Sequence, residues 1–171
     1  MVRIGAVVLA AGEASRFGAP KQRLLLPQVL ERLARAPVDE VVVVAGAYPL
    51  VSDAHVVVCD DWQRGPGASL RCGLLAFPDS VDAAVVVLAD GPDLAAEAVT
   101  RVVATWRRHG DPAVAASYGG VRGHPLLLAR SAWGDIPDEG LRGRPVRLVA
   151  CDDLGPPGDV DRPDDLPGRL R

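Results

Sequence analysis

Lys21 is the only lysine among the 171 residues of the chain, and the other eighteen of its nineteen basic side chains are arginine. It follows Arg16 in a loop of small residues that comes directly after the apolar run at residues 3–9. A strand followed by such a loop with two cations is a common phosphate-binding arrangement in α/β proteins. Because a compact ammonium is not equivalent to a guanidinium, the pattern predicts phosphate binding at Lys21.

The spacing of this loop differs from the common nucleotide fingerprints. Gly12 and Gly18 are too far apart for G-x-G-x-x-G, and Lys21 does not lie in a G-x-x-x-x-G-K-[ST] segment. Small residues from Ala10 to Gly12 still allow backbone N–H groups to approach a ligand closely. Arg16 and Lys21 would then neutralise a triphosphate.

A second polar cluster, LADGPD at residues 88–93, ends an apolar run. Asp90 at the end of a buried strand is well placed to hold Mg²⁺ bound to phosphates. Either aspartate of this cluster could instead cap the helix that follows. We expect Asp93 to cap the helix and Asp90 to hold the metal.

A third acidic cluster lies in residues 158–166, where Asp159 and Asp161 flank Val160. In an extended segment these two side chains point in opposite directions. One carboxylate would therefore reach the metal while the other faces outward, although acidic loops are usually just solvated.

Two further segments have residue types suited to substrate contacts. The glycine-rich turn at residues 62–71 opens a helix, and its amides and hydroxyl suit the edge of a base; an ordinary loop with Ser69 in the first helical turn is the alternative. Residues 118–125 read as a strand, a glycine turn and a returning strand. There His124 could meet an acceptor substrate or serve only as a polar loop residue.

Valine runs that alternate with stretches rich in alanine and leucine predict an α/β fold. The predicted strands are residues 3–9, 40–45, 55–59, 83–89, 113–117, 125–129 and 146–150, and the predicted helices are residues 22–36, 68–77 and 94–109. The first four strands are almost entirely apolar, which is typical of a parallel sheet covered on both faces. Ligands of such sheets bind beyond the carboxyl ends of the strands, where the polar clusters fall. Residues from 155 onward are rich in proline, glycine and aspartate and should wrap the surface without regular structure.

Composition excludes several classes of protein. The net charge is −3 without a block of like charges, which argues against a nucleic-acid partner. The opening apolar run is too short for a signal peptide, and no stretch approaches the roughly 20 apolar residues of a membrane span. Cys59, Cys72 and Cys151 show neither C-x-x-C nor metal spacing, so reduced thiols and a cytoplasmic location are expected.

Together and in this order, the clusters resemble the MobA-like NTP transferase family, which is related to the sugar-phosphate and methylerythritol-phosphate nucleotidylyltransferases. Residues 9–21 match the family pattern L-A-A-G-x-x-x-R-F-G-x-x-K in full. Residues 62–70 are similar to its W-x-x-G-x-G-x-S-L element, residues 88–92 to its strand-end aspartate motif and residues 158–166 to its closing D-V-D-x-P-x-D-L. Within the family, the sequence looks most like molybdenum cofactor cytidylyltransferases.

The resemblance implies a single domain over residues 1–171: a three-layer, Rossmann-like, mostly parallel sheet of about seven strands with one antiparallel strand. It also implies a role for each group of residues. The residues expected to contact the nucleoside are Leu9, Ala10, Ala11, Gly12, Gly67 and Ser69. Arg16 and Lys21 would bind the triphosphate, and Asp90 and Asp161 would bind Mg²⁺. Arg122 and His124 would contact the acceptor. Catalysis is assigned to Arg16, Lys21 and Asp90.

The implied reaction is Mg²⁺-dependent transfer of a nucleoside monophosphate from an NTP to a phosphorylated acceptor, molybdopterin cofactor being favoured, with release of pyrophosphate. Ala10 and Ala11 stand where guanylyl-transferring members tend to carry glycines, which favours CTP. The product would pass to a molybdoenzyme. Guanylyl transfer or another small phosphorylated acceptor stays open. A role as a catalytically inactive nucleotide-binding chaperone also stays open, because residues 22–29 look shortened and residues 131–146 look compact.

Overall fold

The computed structural model describes residues 1–14 and 16–171. In chain order the main elements are β1 (Ile4–Ala10), α1 (Gln22–Leu33), β2 (Glu40–Ala45), β3 (His55–Val58), α2 (Pro66–Leu75), β4 (Ala83–Leu88), α3 (Ala96–His109), β5 (Ala113–Tyr118), β6 (Val121–Ala129) and β7 (Arg147–Ala150). Within these described ranges, no helix is long and apolar enough to cross a membrane.

The strands form one seven-stranded sheet in the order β3-β2-β1-β4-β6-β5-β7. Neighbouring strands are parallel except that β6 runs antiparallel to both β4 and β5. The predicted mostly parallel sheet with one antiparallel strand is therefore confirmed. Because β6 is antiparallel, its first residues lie at the same edge of the sheet as the last residues of β4.

Alternation along β1 explains the three layers. Ile4, Ala6 and Val8 are fully buried and pack in one apolar cluster with α1 and α3. Val7 points to the opposite face and packs in a second cluster, which includes Leu70 and Leu74 of α2. The sheet thus separates α1 and α3 on one face from α2 on the other.

Two predicted boundaries are wrong in ways that affect the site. β6 begins at Val121 rather than at residue 125, because Gly119 and Gly120, both with positive φ, make a tight turn that lets Tyr118 pair with Val121. α3 begins at residue 96 rather than 94, and Ala95, not Asp93, precedes its first turn. The predicted capping role of Asp93 is therefore wrong.

The closing residues largely fit the expected surface wrap. From residue 155 onward the chain forms neither a strand nor an α-helix, and it contains two short 3₁₀ turns, Pro163–Asp165 and Gly168–Leu170. Val160 is the exception to a surface position, since its side chain is buried.

The expectation of three reduced thiols is wrong for two of them. Cys59, just after β3, and Cys72 of α2 form a disulfide whose Cα atoms are 5.9 Å apart. The pairing arises because α2 packs back against β1, β2 and β3, which brings together cysteines that are 13 residues apart. Cys151 is free and buried.

Gly67, in the first turn of α2, allows the chain at residues 137–138 to lie against that helix. A Cβ atom built on Gly67 would be 1.7 Å from the carbonyl oxygen of Pro137, and the Gly67 N–H donates to the oxygen of Asp138 at 2.8 Å. We therefore expect Gly67→Ala to lower the free energy of unfolding by about 1–3 kcal/mol, because the two backbone segments must separate.

Thermal unfolding followed by circular dichroism measures this loss. The matched control is Gly134→Ala, where an added Cβ meets nothing within 4 Å, so its melting temperature should stay near that of the unsubstituted chain. Equal melting temperatures for the two variants would contradict the close packing.

Candidate active site

Lys21 and Asp90 meet at the carboxyl edge of the sheet. β1 and β4 are paired neighbours, with Leu9 opposite Leu88, so the loops that follow them begin side by side. Lys21 directly precedes α1, and its Nζ lies 3.3 Å from Oδ2 of Asp90. The lysine is only 7% exposed, so its charge interacts with these neighbours more strongly than in water.

The closing segment is attached to the loop after β4 by backbone hydrogen bonds. The N–H of Asp93 donates to the oxygen of Pro157 at 2.8 Å, and the N–H of Val160 donates to the oxygen of Asp90 at 3.0 Å. The Asp93 carboxylate forms an ion pair with Arg169, 2.8 Å away. Asp93 therefore anchors the closing residues of the chain instead of capping α3.

Val160 completes the surroundings of Lys21. Its side chain is 2% exposed, and its carbonyl oxygen accepts a hydrogen bond from the lysine Nζ. Asp161 follows, with Oδ1 3.7 Å from that Nζ and Oδ2 3.0 Å from Arg16. Both cations predicted to bind phosphate thus lie beside carboxylates predicted to bind metal.

Three carboxylates converge at this point. Asp90, Asp159 and Asp161 each present one oxygen, and these oxygens lie within 4.8 Å of one another. The expectation that one of Asp159 and Asp161 faces away from the metal position is therefore wrong. Val160 inserts into the protein between them, and the segment is not a flat strand, so both carboxylates turn toward Asp90.

The electrostatics of this cluster favour a divalent cation. Burial raises the pKa of Asp159, and the charges of Asp90 and Asp161 raise it further. Oδ1 of Asp90 is buried and accepts no hydrogen bond from any residue that the structure describes. Carboxylate oxygens are the ligands that Mg²⁺ and similar hard cations prefer, so these three side chains fit such an ion.

Three cavities meet around the end of β4. A polar cavity of about 280 Å³ is bordered by Arg16, Lys21, Asp90 and Asp161. A second, of about 470 Å³, and a third, of about 510 Å³, are more apolar and lie on either side of the start of β6. Leu88 borders all three, so they lie next to one another at the carboxyl end of β4.

The residues predicted to contact the nucleotide are divided among these positions. Leu9 and Gly12 border the polar cavity. Ala10 and Ala11 do not border it and are buried, 4% and 5% exposed.

The glycine turn before α2 is less open than predicted. Gly67 and Ser69 are buried in α2, and the Gly67 N–H is already bonded to residue 138. The residues of α2 that border the second cavity are Pro66 and Leu70. Contact of Gly67 and Ser69 with a base therefore stays a prediction.

Arg122 and His124 border both of the larger cavities. The Arg122 guanidinium donates to the carbonyl oxygens of Leu141 at 3.0 Å and Arg144 at 2.8 Å, and it forms no ion pair with the described acidic residues. Burial and the neighbouring Arg122 charge lower the pKa of His124 to about 4, so its imidazole is neutral near pH 7. These two strand residues thus present a cation and a neutral imidazole to the cleft.

Sequence reasoning missed two functional neighbours of the cleft. Gln22 borders the polar cavity, and its Nε2 donates to the oxygen of Gly12 at 2.9 Å; its position next to Lys21 was the available signal. Asp138 binds both Arg64 and Arg71 and so fixes the loop whose next residues, 139–142, line the second cavity. These partners are far apart in sequence, and no local pattern identifies them.

A mostly parallel sheet with cations and carboxylates beyond its strand ends is an arrangement suited to binding nucleotides. The model of the MobA-like NTP transferase domain matches residues 6–150, and the chain belongs to that family of NTP-binding nucleotidyltransferases. No curated protein matches the sequence.

Several solved structures share this fold. The chain is similar to Rv0371c from Mycobacterium tuberculosis H37Rv, with 30% identity, a TM-score of 0.81 and 96% of each chain covered. A structure of Rv0371c in complex with manganese shows 28% identity, a TM-score of 0.76 and the same coverage. Molybdopterin-guanine dinucleotide biosynthesis protein A from Archaeoglobus fulgidus shares the fold at 18% identity, with a TM-score of 0.69 over 97% of this chain and 96% of that one.

The lowered pKa of His124 gives a measurable pH dependence. The unfolded chain binds the imidazole proton near pH 6.5, whereas the folded chain binds it only near pH 4. Stability is therefore lost as the pH falls from about 6.5 to 4, and His124 should account for roughly 1–3 kcal/mol of that loss.

The difference in unfolding free energy between the unsubstituted chain and His124→Gln, measured from pH 7.5 to pH 4 by urea titration, isolates this contribution. Titrations common to both proteins cancel in the difference. A difference that stays constant over this range would show that His124 is not held neutral.

Proposed function

We propose that this protein transfers a nucleoside monophosphate from an NTP to a phosphorylated small molecule and releases pyrophosphate. The observation that carries the proposal is the buried Lys21, in contact with Asp90 and near Asp161 at the edge of a polar cavity. Family membership supports the class of reaction. We further propose that residues 1–171 act as one domain in this reaction.

The chemistry requires positioned charge rather than a general base. An acceptor phosphate is already ionised near pH 7, so one of its oxygens can attack the α-phosphorus directly. The bond between the α-phosphorus and its bridging oxygen to the β-phosphate breaks, and pyrophosphate leaves with that electron pair. Arg16 and Lys21 would hold the triphosphate and offset the charge that develops on the leaving group.

Asp90 and Asp161, with Asp159 beside them, are the proposed ligands of a divalent cation. A bound Mg²⁺ would supply positive charge to the phosphate oxygens. The unpartnered Oδ1 of Asp90 supports this assignment, and the manganese complex of the relative Rv0371c supports a divalent cation in general. Release of Lys21 from Asp90 toward a phosphate would accompany metal binding.

The two larger cavities suit the nucleoside and the acceptor. Leu9, Pro66 and Leu70 give the second cavity apolar walls for a base, and Ala10 and Ala11 in the preceding strand and loop favour CTP. Gly67 and Ser69 would support the base from within α2.

The third cavity combines Arg122 and His124 with the apolar side chains of Leu94 and Pro157. This combination suits an anionic acceptor with a ring system. We favour molybdopterin cofactor as the acceptor and a molybdoenzyme as the recipient of the product. The name of the similar protein from Archaeoglobus fulgidus supports this choice.

Lys21→Met should lower turnover about 10²–10³-fold, because the charge that offsets the leaving pyrophosphate is lost while the side-chain volume is kept. The matched control is Arg23→Met, which removes an exposed cation two residues along the chain. Among the described residues, the Arg23 side chain donates hydrogen bonds only to the Pro49 oxygen. Pyrophosphate release measures both variants. Near-normal turnover of Lys21→Met would contradict the proposed role.

The proposal is tested by thermal unfolding and pyrophosphate release with each of the four NTPs, Mg²⁺ and a panel of phosphorylated acceptors that includes molybdopterin cofactor. A nucleotide at a hundred times its dissociation constant stabilises the fold by about 2.7 kcal/mol. CTP-dependent release with molybdopterin cofactor supports the full proposal, and release with GTP alone overturns the choice of CTP. Binding without release from any acceptor would instead support the inactive nucleotide-binding chaperone.

A further inference from the structure

Gln22 is a polar side chain that the proposed reaction leaves without a role. It is the first residue of α1, is 5% exposed and borders the polar cavity. Its Nε2 lies 2.9 Å from the carbonyl oxygen of Gly12. Because a carbonyl oxygen can only accept a hydrogen bond, this contact fixes which end of the amide is nitrogen and which is oxygen.

The other end of the amide lacks a partner. Oε1 of Gln22 is buried and accepts no hydrogen bond from the residues that the structure describes. An amide oxygen is a pure acceptor, and leaving it unsatisfied in a buried position is costly. A ligand that brings a hydrogen-bond donor to this atom therefore gains affinity from it.

The parts of a nucleotide differ in whether they can supply that donor. Phosphate oxygens at neutral pH are acceptors, so the triphosphate beside Lys21 cannot satisfy Oε1. A base fits the larger cavity beyond Leu9 and Leu88, which Gln22 does not border. The ribose connects the base to the phosphates and carries two hydroxyl groups that can donate.

We propose that Gln22 is a specificity-determining residue that accepts a hydrogen bond from a ribose hydroxyl of the NTP. The inference rests on the proposed function, because it takes the polar cavity to hold the phosphates. Gln22 then performs two tasks with one amide. Its nitrogen fixes the Gly12 carbonyl in the loop after β1, and its oxygen favours nucleotides that carry the donating hydroxyl over analogues that lack it.

The test is a thermodynamic cycle between the side chain and the nucleotide. Dissociation constants are measured by calorimetry with Mg²⁺ for CTP, 2′-deoxy-CTP and 3′-deoxy-CTP, using the unsubstituted chain and Gln22→Met. In the unsubstituted chain, one deoxy analogue should bind about 3- to 10-fold more weakly than CTP. In Gln22→Met, which keeps the side-chain length without the acceptor, CTP and that analogue should bind equally within about 2-fold.

A second variant separates the two ends of the amide. Gln22→Glu keeps acceptor oxygens but loses the donor to Gly12, so it should bind every nucleotide more weakly while keeping the preference for the hydroxyl. Circular dichroism confirms that each variant is folded at the temperature used for calorimetry.

The possible results distinguish failure of the inference about Gln22 from failure of the proposed function. If Gln22→Met weakens CTP and both analogues by the same factor, Gln22 has only a structural role and the inference is overturned while the proposed function stands. The inference is also overturned if Gln22→Met removes a preference for CTP over UTP, which lacks the base amine, but leaves the preference for CTP over the deoxy analogues unchanged. If the unsubstituted chain binds none of the NTPs, the proposed function and the inference both fail.

Discussion

The buried ammonium of Lys21 joins three distant parts of the chain. Its partner Asp90 is 69 residues away, and the carbonyl of Val160 is 139 residues away. A buried charge without such partners is strongly destabilising. The loop after β1, the end of β4 and the closing segment must therefore come together for this lysine to be accommodated, and their meeting creates the polar cavity.

The sheet makes that meeting possible at one edge. β1 and β4 are adjacent and parallel, so both of their following loops emerge at the carboxyl edge. The reversal of β6 then brings Arg122 and His124 to the same edge from a strand that starts there. Carboxyl ends of parallel strands are where ligands bind in open α/β sheets, and here one antiparallel strand adds residues to that place.

Local patterns were sufficient for much of this arrangement. Apolar runs predicted seven strands, and the almost entirely apolar character of the first four predicted that those are parallel neighbours, because a strand covered on both faces has no polar side. The loop from Leu9 to Lys21 and the aspartate at the end of β4 were identified from residue type and spacing. Such features depend on neighbours in sequence, which is why they could be read from sequence.

The errors arose where long-range packing decides the outcome. Asp93 was expected to cap α3, but Arg169 and the Pro157 carbonyl draw its turn toward the closing segment. Only one of Asp159 and Asp161 was expected to face the metal, but the burial of Val160 turns both toward Asp90. The pairing of Cys59 with Cys72 likewise depends on how α2 lies against the sheet.

The same carboxylates that surround the cations are the proposed metal ligands, and this links the two binding events. Asp90 and Asp161 presently balance the charges of Lys21 and Arg16. A divalent cation held by those carboxylates would repel the two side chains, and a triphosphate is the partner that accepts them. Bound metal would favour the movement of these cations toward a triphosphate, and a bound triphosphate would free the carboxylates for the metal. Nucleotide and metal should therefore bind cooperatively, and Lys21 and Arg16 would carry that coupling.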